Sequence, residues 1–154
     1  MVRIEEPGWR DRGIDVANIR AAVRLALIRG LEHKGARKEA HRKTLTVLLA
    51  NDDRLRELNT RFRRKDEPTN VLSFPAPAGN AYLGDIALAL GVAEREAAAA
   101  GKQLSDHVLH LTVHGVLHLL GYDHQRAGEA RTMECLEITA LQELGIPDPY
   151  AARA

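Results

Sequence analysis

Five histidines fall within the stretch HVLHLTVHGVLHLLGYDH, residues 107 to 124: His107, His110, His114, His118 and His124. The remaining 130-odd positions supply only two more, His33 and His41. Neutral imidazole is the commonest protein ligand for metal ions, and it is also the side chain that titrates nearest neutral pH. Such a concentration therefore points to metal binding or to proton transfer, and spacing must decide between them.

On a helix that advances about 100° per residue, His110 and His118 lie about 40° to either side of His114, and His107 lies about 20° away. All four share one stripe. Histidines at i and i+4 project side by side and can chelate one ion. Two such pairs exist, His110/His114 and His114/His118. The third ligand selects between them. Gly121 lets the chain turn sharply past the helix end, and His124 follows within a short loop. His118 sits on the last turn, whereas His110 lies about 12 Å further down the axis by helical rise. The preferred triad is His114, His118 and His124, with His110/His114/His124 as the variant.

Three neutral histidines leave one position of a tetrahedral Zn²⁺ open, the arrangement of catalytic sites. The cofactor expected is one Zn²⁺, with other divalent ions able to substitute in vitro. His107 and His110 are left as candidates for substrate contact or for a role supporting the ligands. Position 115 carries a negative signal. Zinc peptidases of the H-E-x-x-H type place a general base there, and this chain has Gly115. A glycine inside a helix costs about 1 kcal/mol relative to alanine, so close approach of another element or of substrate is expected beside it.

The elements that must hold these residues can be read from periodicity. A first strand covers residues 2 to 5. A helix starts near Val16 and ends near Gly35. TLTVLLA (44–50) is a strand, Asn51 caps a helix through DDRLRELNTRF, and VLSF (71–74) and AYLGDIALAL (81–90) are further strands. Gly84 marks a bulge or a close backbone approach. Helices follow over about 92–100, 105–120 and 128–144. The fold class expected is α+β, a single domain over 1–154 with a small mixed sheet of about four strands and about five helices. Residues 147–154 are expected to be a loose tail.

Bulk properties set weaker bounds. The chain has 154 residues, 45% hydrophobic and 28% charged, with a formal net charge of +1. It can bury a core, and its charge neither demands nor excludes a nucleic-acid partner. A lone cysteine, Cys135, permits no intramolecular disulfide and no thiolate cluster; its place in ECLEITALQEL predicts a buried small side chain. No apolar run spans a bilayer, and MVRIEEPGWR lacks a signal-peptide core. A cytoplasmic location without a membrane partner is the expectation.

Three segments carry a family resemblance. HGVLHLLGYDH, from His114 to His124, resembles the H-G-x-L-H-L-x-G-Y-D-H signature of the YbeY-type endoribonucleases. LNTRFRRKDEPTNVLSFP (58–75) is similar to that family's basic block, and LGDIAL (83–88) to its L-G-D-I element. The resemblance covers about 44 to 150. It implies zinc held by His114, His118 and His124, and metal-dependent cleavage of single-stranded RNA. It further implies maturation of the 3′ end of small-subunit (16S) rRNA and ribosome quality control. The implied partners are rRNA and ribosomal subunits or ribosome-associated proteins, with no DNA expected.

The basic block also reads on its own terms. Arg61, Arg63, Arg64 and Lys65 surround Phe62 before a proline-containing turn, a candidate phosphate-contact surface beside a metal site. Phe62 is expected in the core. Arg63 matches the motif arginine of the family, which makes it the expected catalytic side chain. A guanidinium cannot act as a base, so its role would be to clamp a phosphate oxygen and stabilise developing charge. Asp123 adjoins His124 and could either orient a histidine or cap the loop. Asp85 could support the site or close a turn. Two other functions stay open at this level: a zinc hydrolase of peptides or esters, and a non-enzymatic rRNA-binding assembly factor with a structural metal.

Overall fold

A computed structural model describes residues 1–151. Four strands, β1 (Val2–Ile4), β2 (Thr44–Ala50), β3 (Val71–Pro75) and β4 (Tyr82–Ala89), form one sheet in the order β1-β2-β4-β3. β1 and β4 both run parallel to β2, while β3 is antiparallel to β4. Six α-helices accompany it: α1 (Gly8–Asp11), α2 (Val16–His33), α3 (Asp52–Arg63), α4 (Leu90–Ala99), α5 (Leu104–Leu119) and α6 (Ala127–Glu143). The mixed α+β sheet matches the expectation. Two short elements go beyond it, α1 and a 3₁₀ helix over Arg37–Arg42. α1 escaped notice because four residues carry no period. It exists to bury Trp9, whose indole N–H donates to the Ala50 carbonyl at 2.8 Å.

Side chains alternate across a strand, and here both faces are covered. Leu45, Val47 and Leu49 of β2 join Ile86 and Leu88 of β4 beneath α2, α5 and α6. Ala50, Ala87 and Ala89 face the other way, against Leu55 of α3 and Leu72. Two-sided burial explains why TLTVLLA and IALAL read as nearly continuous apolar runs.

α5 is the central helix of the larger core. It packs on β3, β4, α2, α4 and α6, and most of its residues from Val108 to Leu119 are buried. Gly115 lies where it crosses the sheet: a Cβ there would sit 2.9 Å from the Ile86 side chain. The glycine is thus answered by approach of β4. Gly84 likewise has φ +132°, and a Cβ would meet the Phe74 carbonyl oxygen at 2.2 Å.

Two expectations about side chains are corrected. Cys135 is exposed. The core face of α6 carries Met133, Glu137, Ala140 and Leu141, and a residue two positions from Met133 points about 200° away from it. Phe62 is also exposed, at 59%. Its phase relative to Leu55 suits burial, but the last turn of α3 overhangs the edge strand β3, where Phe74 gives it an edge-on partner with ring centroids 5.4 Å apart. The expected loose tail is tied down as far as Ala151: Lys102 Nζ donates to the Pro149 carbonyl at 2.9 Å, and Tyr150 packs against α5 and α6. Residues 152–154 of that tail lie outside the described residues.

Candidate metal centre

The turn that ends α5 does what the glycine suggested. Gly121 has φ +96°, its N–H donates to the His118 carbonyl at 2.9 Å, and the Tyr122 N–H donates to the Leu117 carbonyl at 3.0 Å. These are the paired bonds of a Schellman stop. The Tyr122 hydroxyl then donates to the Gly30 carbonyl at 2.7 Å, anchoring the loop on α2. The chain doubles back, and His124 meets His114 and His118 with ring centroids 5.6 and 5.2 Å away.

One nitrogen from each of His114, His118 and His124 lies within 4.8 Å of the others, a group able to hold a metal ion. The fit can be tested on the nitrogens themselves. His114 Nε2 and His118 Nε2 face each other at 3.0 Å. Burial, then the neighbouring His114 and His124, push the His118 ring down to about 4 from its ordinary 6.5. His118 is therefore neutral at physiological pH, the form that ligates. Converging imidazole nitrogens at the mouth of a cleft are what a divalent cation requires.

His110 is not part of this group. Its Nε2 lies 3.2 Å from the Tyr150 hydroxyl and 3.5 Å from Glu137 Oε2. The His110/His114/His124 set is thereby disfavoured: His110 is turned toward α6 and the C-terminal segment. His107 is turned toward α4, with Nε2 2.9 Å from Glu96 Oε1.

The residue that sequence reading missed is Glu137. It is fully buried, and its Oε1 accepts from His114 Nδ1. Burial would raise its carboxyl, but hydrogen bonds from His110, His114 and Tyr150 outweigh that and hold it at about 2. The available signal was a glutamate at a core position of α6, in phase with Met133, Ala140 and Leu141. Glu137, and not Asp123, hydrogen-bonds a ring nitrogen of the three histidines. Asp123 Oδ1 accepts from the His124 backbone N–H at 2.7 Å and stays 3.9 Å from the ring, so it caps the loop. Asp85 neither closes a turn nor reaches the histidines; it accepts from the Tyr82 hydroxyl on β4.

The three histidines open onto a cleft of about 540 Å³ whose other wall includes Asn59, Arg63, Lys65, Thr69 and Ser73. Arg63 is exposed at the end of α3. Its Nη2 donates to the Ser73 carbonyl at 2.7 Å, and its guanidinium lies 5.8 Å from the Phe74 ring centroid. One N–H is committed and the others remain for a ligand. Ser73 in turn donates to the Gly115 carbonyl at 3.3 Å, linking the arginine wall to the histidine helix. Arg61 and Arg64 do not line this cleft. Arg61 lies over Phe62 and borders a separate surface hollow with Asp66. Arg64 takes the left-handed conformation that ends α3, at φ 57°.

A sequence profile of the family described as Endoribonuclease YbeY matches residues 8–145. The chain belongs to this family. An Endoribonuclease YbeY of Rhizorhabdus wittichii is 44% identical over 95% of this chain and 93% of its own length. Another, from Pseudomonas fluorescens, is 53% identical over 70% of this chain and 74% of its own. The solution structure of TM1509 from Thermotoga maritima superposes with a TM-score of 0.64 at 27% identity, covering 94% of this chain and 89% of that one.

Proposed function

We propose that this protein is a metal-dependent endoribonuclease that cleaves single-stranded RNA, with His114, His118 and His124 holding one Zn²⁺. The observation that carries the reading is the cleft itself. Three histidine nitrogens within 4.8 Å of one another lie on one wall, and Arg63 and Lys65 lie on the other. A polyanion is the substrate such a pairing suits. When bound, the ion would supply Lewis acidity at a phosphate oxygen. His114 and His118 orient the site from a rigid buried helix. Arg63, braced by Ser73, holds the phosphodiester and offsets charge that develops on it. Lys65 adds a flexible point charge.

Glu137 does not serve the peptidase alternative as a general base. Glu137 is the fully buried carboxylate beside the histidines, and both of its oxygens are engaged behind His114, away from the open Nε2 side. Processing of 16S rRNA at its 3′ end, quality control on ribosomal subunits and a cytoplasmic location are the finer reading. It rests on family membership and on the three matching sequence blocks. No helix among the described residues is long and apolar enough to cross a membrane.

The test uses wild type, His114→Ala and Arg63→Glu, purified identically, with bound metal measured and single-stranded and duplex RNA assayed. Wild type should cleave single strands, His114→Ala should lose metal and cleavage, and Arg63→Glu should lose cleavage while keeping metal. Equal cleavage by all three would overturn the proposal. Product ends identify the nucleophile: 2′,3′-cyclic phosphates indicate the neighbouring 2′-OH, and simple monoesters indicate water.

A further inference from the structure

A neutral imidazole has one N–H, on either nitrogen. For His114 the choice matters, because its Nε2 faces His118 Nε2 at 3.0 Å. If the proton sat on His114 Nε2, the two rings would form an ordinary hydrogen bond with each other. The pair would then be satisfied internally, and a metal ion would have to break that bond to bind. If the proton sits on Nδ1, Nε2 is a bare lone pair. A histidine–histidine hydrogen bond, donated by either ring, thus competes with the metal at this site, and the form donated by His114 is removed only if something holds the His114 proton on Nδ1.

Glu137 is placed to do so. An ionised carboxylate only accepts, so the bond between His114 Nδ1 and Glu137 Oε1 puts the proton on Nδ1. A carboxylate bonded through one oxygen can still swing. Here the other oxygen, Oε2, accepts from the Tyr150 hydroxyl, and Tyr150 in turn lies 3.2 Å from His110 Nε2, which can donate to it. Tyr150 is itself fixed. Its N–H donates to Asp148 Oδ1 at 2.8 Å, the adjacent Pro149 carbonyl accepts from Lys102, and the Ile146 N–H returns to the Leu141 carbonyl at 2.9 Å. The segment after α6 therefore ends on the back of the metal site.

We infer that Glu137 and Tyr150 are positioning residues that hold His114 in the tautomer with Nε2 bare, so that the C-terminal segment governs how tightly the site keeps its metal. This rests on the metal-site reading above. Partners that orient histidine ligands typically change metal affinity by about 10- to 100-fold when removed.

Glu137→Gln and Tyr150→Phe test it. Gln has nearly the same shape but can accept from Nδ1–H or donate to bare Nδ1, so it enforces neither tautomer. Imidazole ¹⁵N shifts of the metal-free proteins report where the His114 proton sits, and chelator competition gives the Zn²⁺ affinity. Wild type should show His114 protonated on Nδ1. Glu137→Gln should show a mixture and bind Zn²⁺ about 10- to 100-fold more weakly. Tyr150→Phe, which loses one hydroxyl from a partly exposed ring and keeps the fold testable, should weaken binding by a smaller factor in the same direction. A merely structural role would alter thermal stability and leave the tautomer alone. An unchanged His114 tautomer in Glu137→Gln, or unchanged affinity in both variants, overturns the inference. Wild type that binds no Zn²⁺ overturns the metal reading instead, while a tautomer shift would still be seen in the metal-free variants.

Discussion

The two halves of α5 present the same side chain to opposite kinds of neighbour. In the N-terminal half, His107 meets Glu96 and His110 meets Tyr150 and Glu137. Those rings face a hollow of about 520 Å³ whose lining includes Glu96 and, among the described residues, no lysine or arginine. In the C-terminal half, His114 and His118 turn Nε2 atoms toward each other and toward His124, and the cleft they face is walled by Arg63 and Lys65. Helical phase puts all four on one stripe. What separates them is how the other elements use each ring nitrogen. A histidine whose outward nitrogen already meets a carboxylate or hydroxyl is a packing element, and one whose far nitrogen is held while the near one faces other imidazoles is a candidate ligand.

The contrast is broken most directly at its strong end. His118→Ala removes a donor and should cost more than about 100-fold in Zn²⁺ affinity, since loss of an orienting partner alone costs about 10- to 100-fold. His110→Ala removes no donor and should stay within about tenfold of wild type by the same standard. Chelator competition measures both. Equal losses would mean that the two halves are not distinguished as described.

The charged wall gives the next effect. Arg63→Gln keeps a hydrogen-bonding side chain near Ser73 but removes the positive charge. It should lower kcat on single-stranded RNA by about 10²-fold, the usual cost of one stabilising donor, with bound metal unchanged. Unaltered kcat would move phosphate stabilisation away from this residue.

Acid should reveal the same half of the helix. The His118 ring is lowered in the folded protein to about 4 from 6.5, so the unfolded chain binds more protons between those values. Stability therefore rises with pH through this window. The contribution is fully present above about 6.5 and is lost as pH falls toward about 4. Melting temperatures of the metal-free protein between pH 4 and 7.5 should show this fall, and His118→Gln should flatten it. A slope identical in the variant would assign the acid sensitivity to other groups.

How much of this was readable beforehand follows from where the information sits. The convergence of His114, His118 and His124 was legible because helical phase and a glycine stop are local, and both lie within residues 114–124. Strands β2 and β4 were legible because burial on both faces makes most of their length apolar. Glu137 was not, because its partner is 23 residues away on another helix and nothing in its own segment names that partner. Phe62 and Cys135 were misjudged for a related reason. Residue type suggested burial, while the edge of the sheet and the phase of α6 decided otherwise. Arg61 and Arg64 show the same limit, since a charge cluster in sequence became two surfaces once α3 ended between them.

The smallest effect belongs to His107, and two opposing terms make it small. Its Nε2 bond to Glu96 is charge-assisted, and such bonds contribute about 1.5–3 kcal/mol at most. The Glu96 side chain is 41% exposed, which reduces that figure, because water can replace the lost donor. Against it stands Nδ1, buried with no hydrogen-bond partner among the described residues, and a buried unsatisfied group costs about 1–3 kcal/mol. His107→Ala removes both the bond and the orphan. Stability should change by no more than about 1 kcal/mol, and Zn²⁺ affinity should not change, since no bond of His107 reaches the triad. Denaturant melts and chelator competition check the two parts separately. A large loss of metal affinity in His107→Ala would show that the whole stripe acts as one unit, and the division of α5 into a packing half and a ligand half would fall.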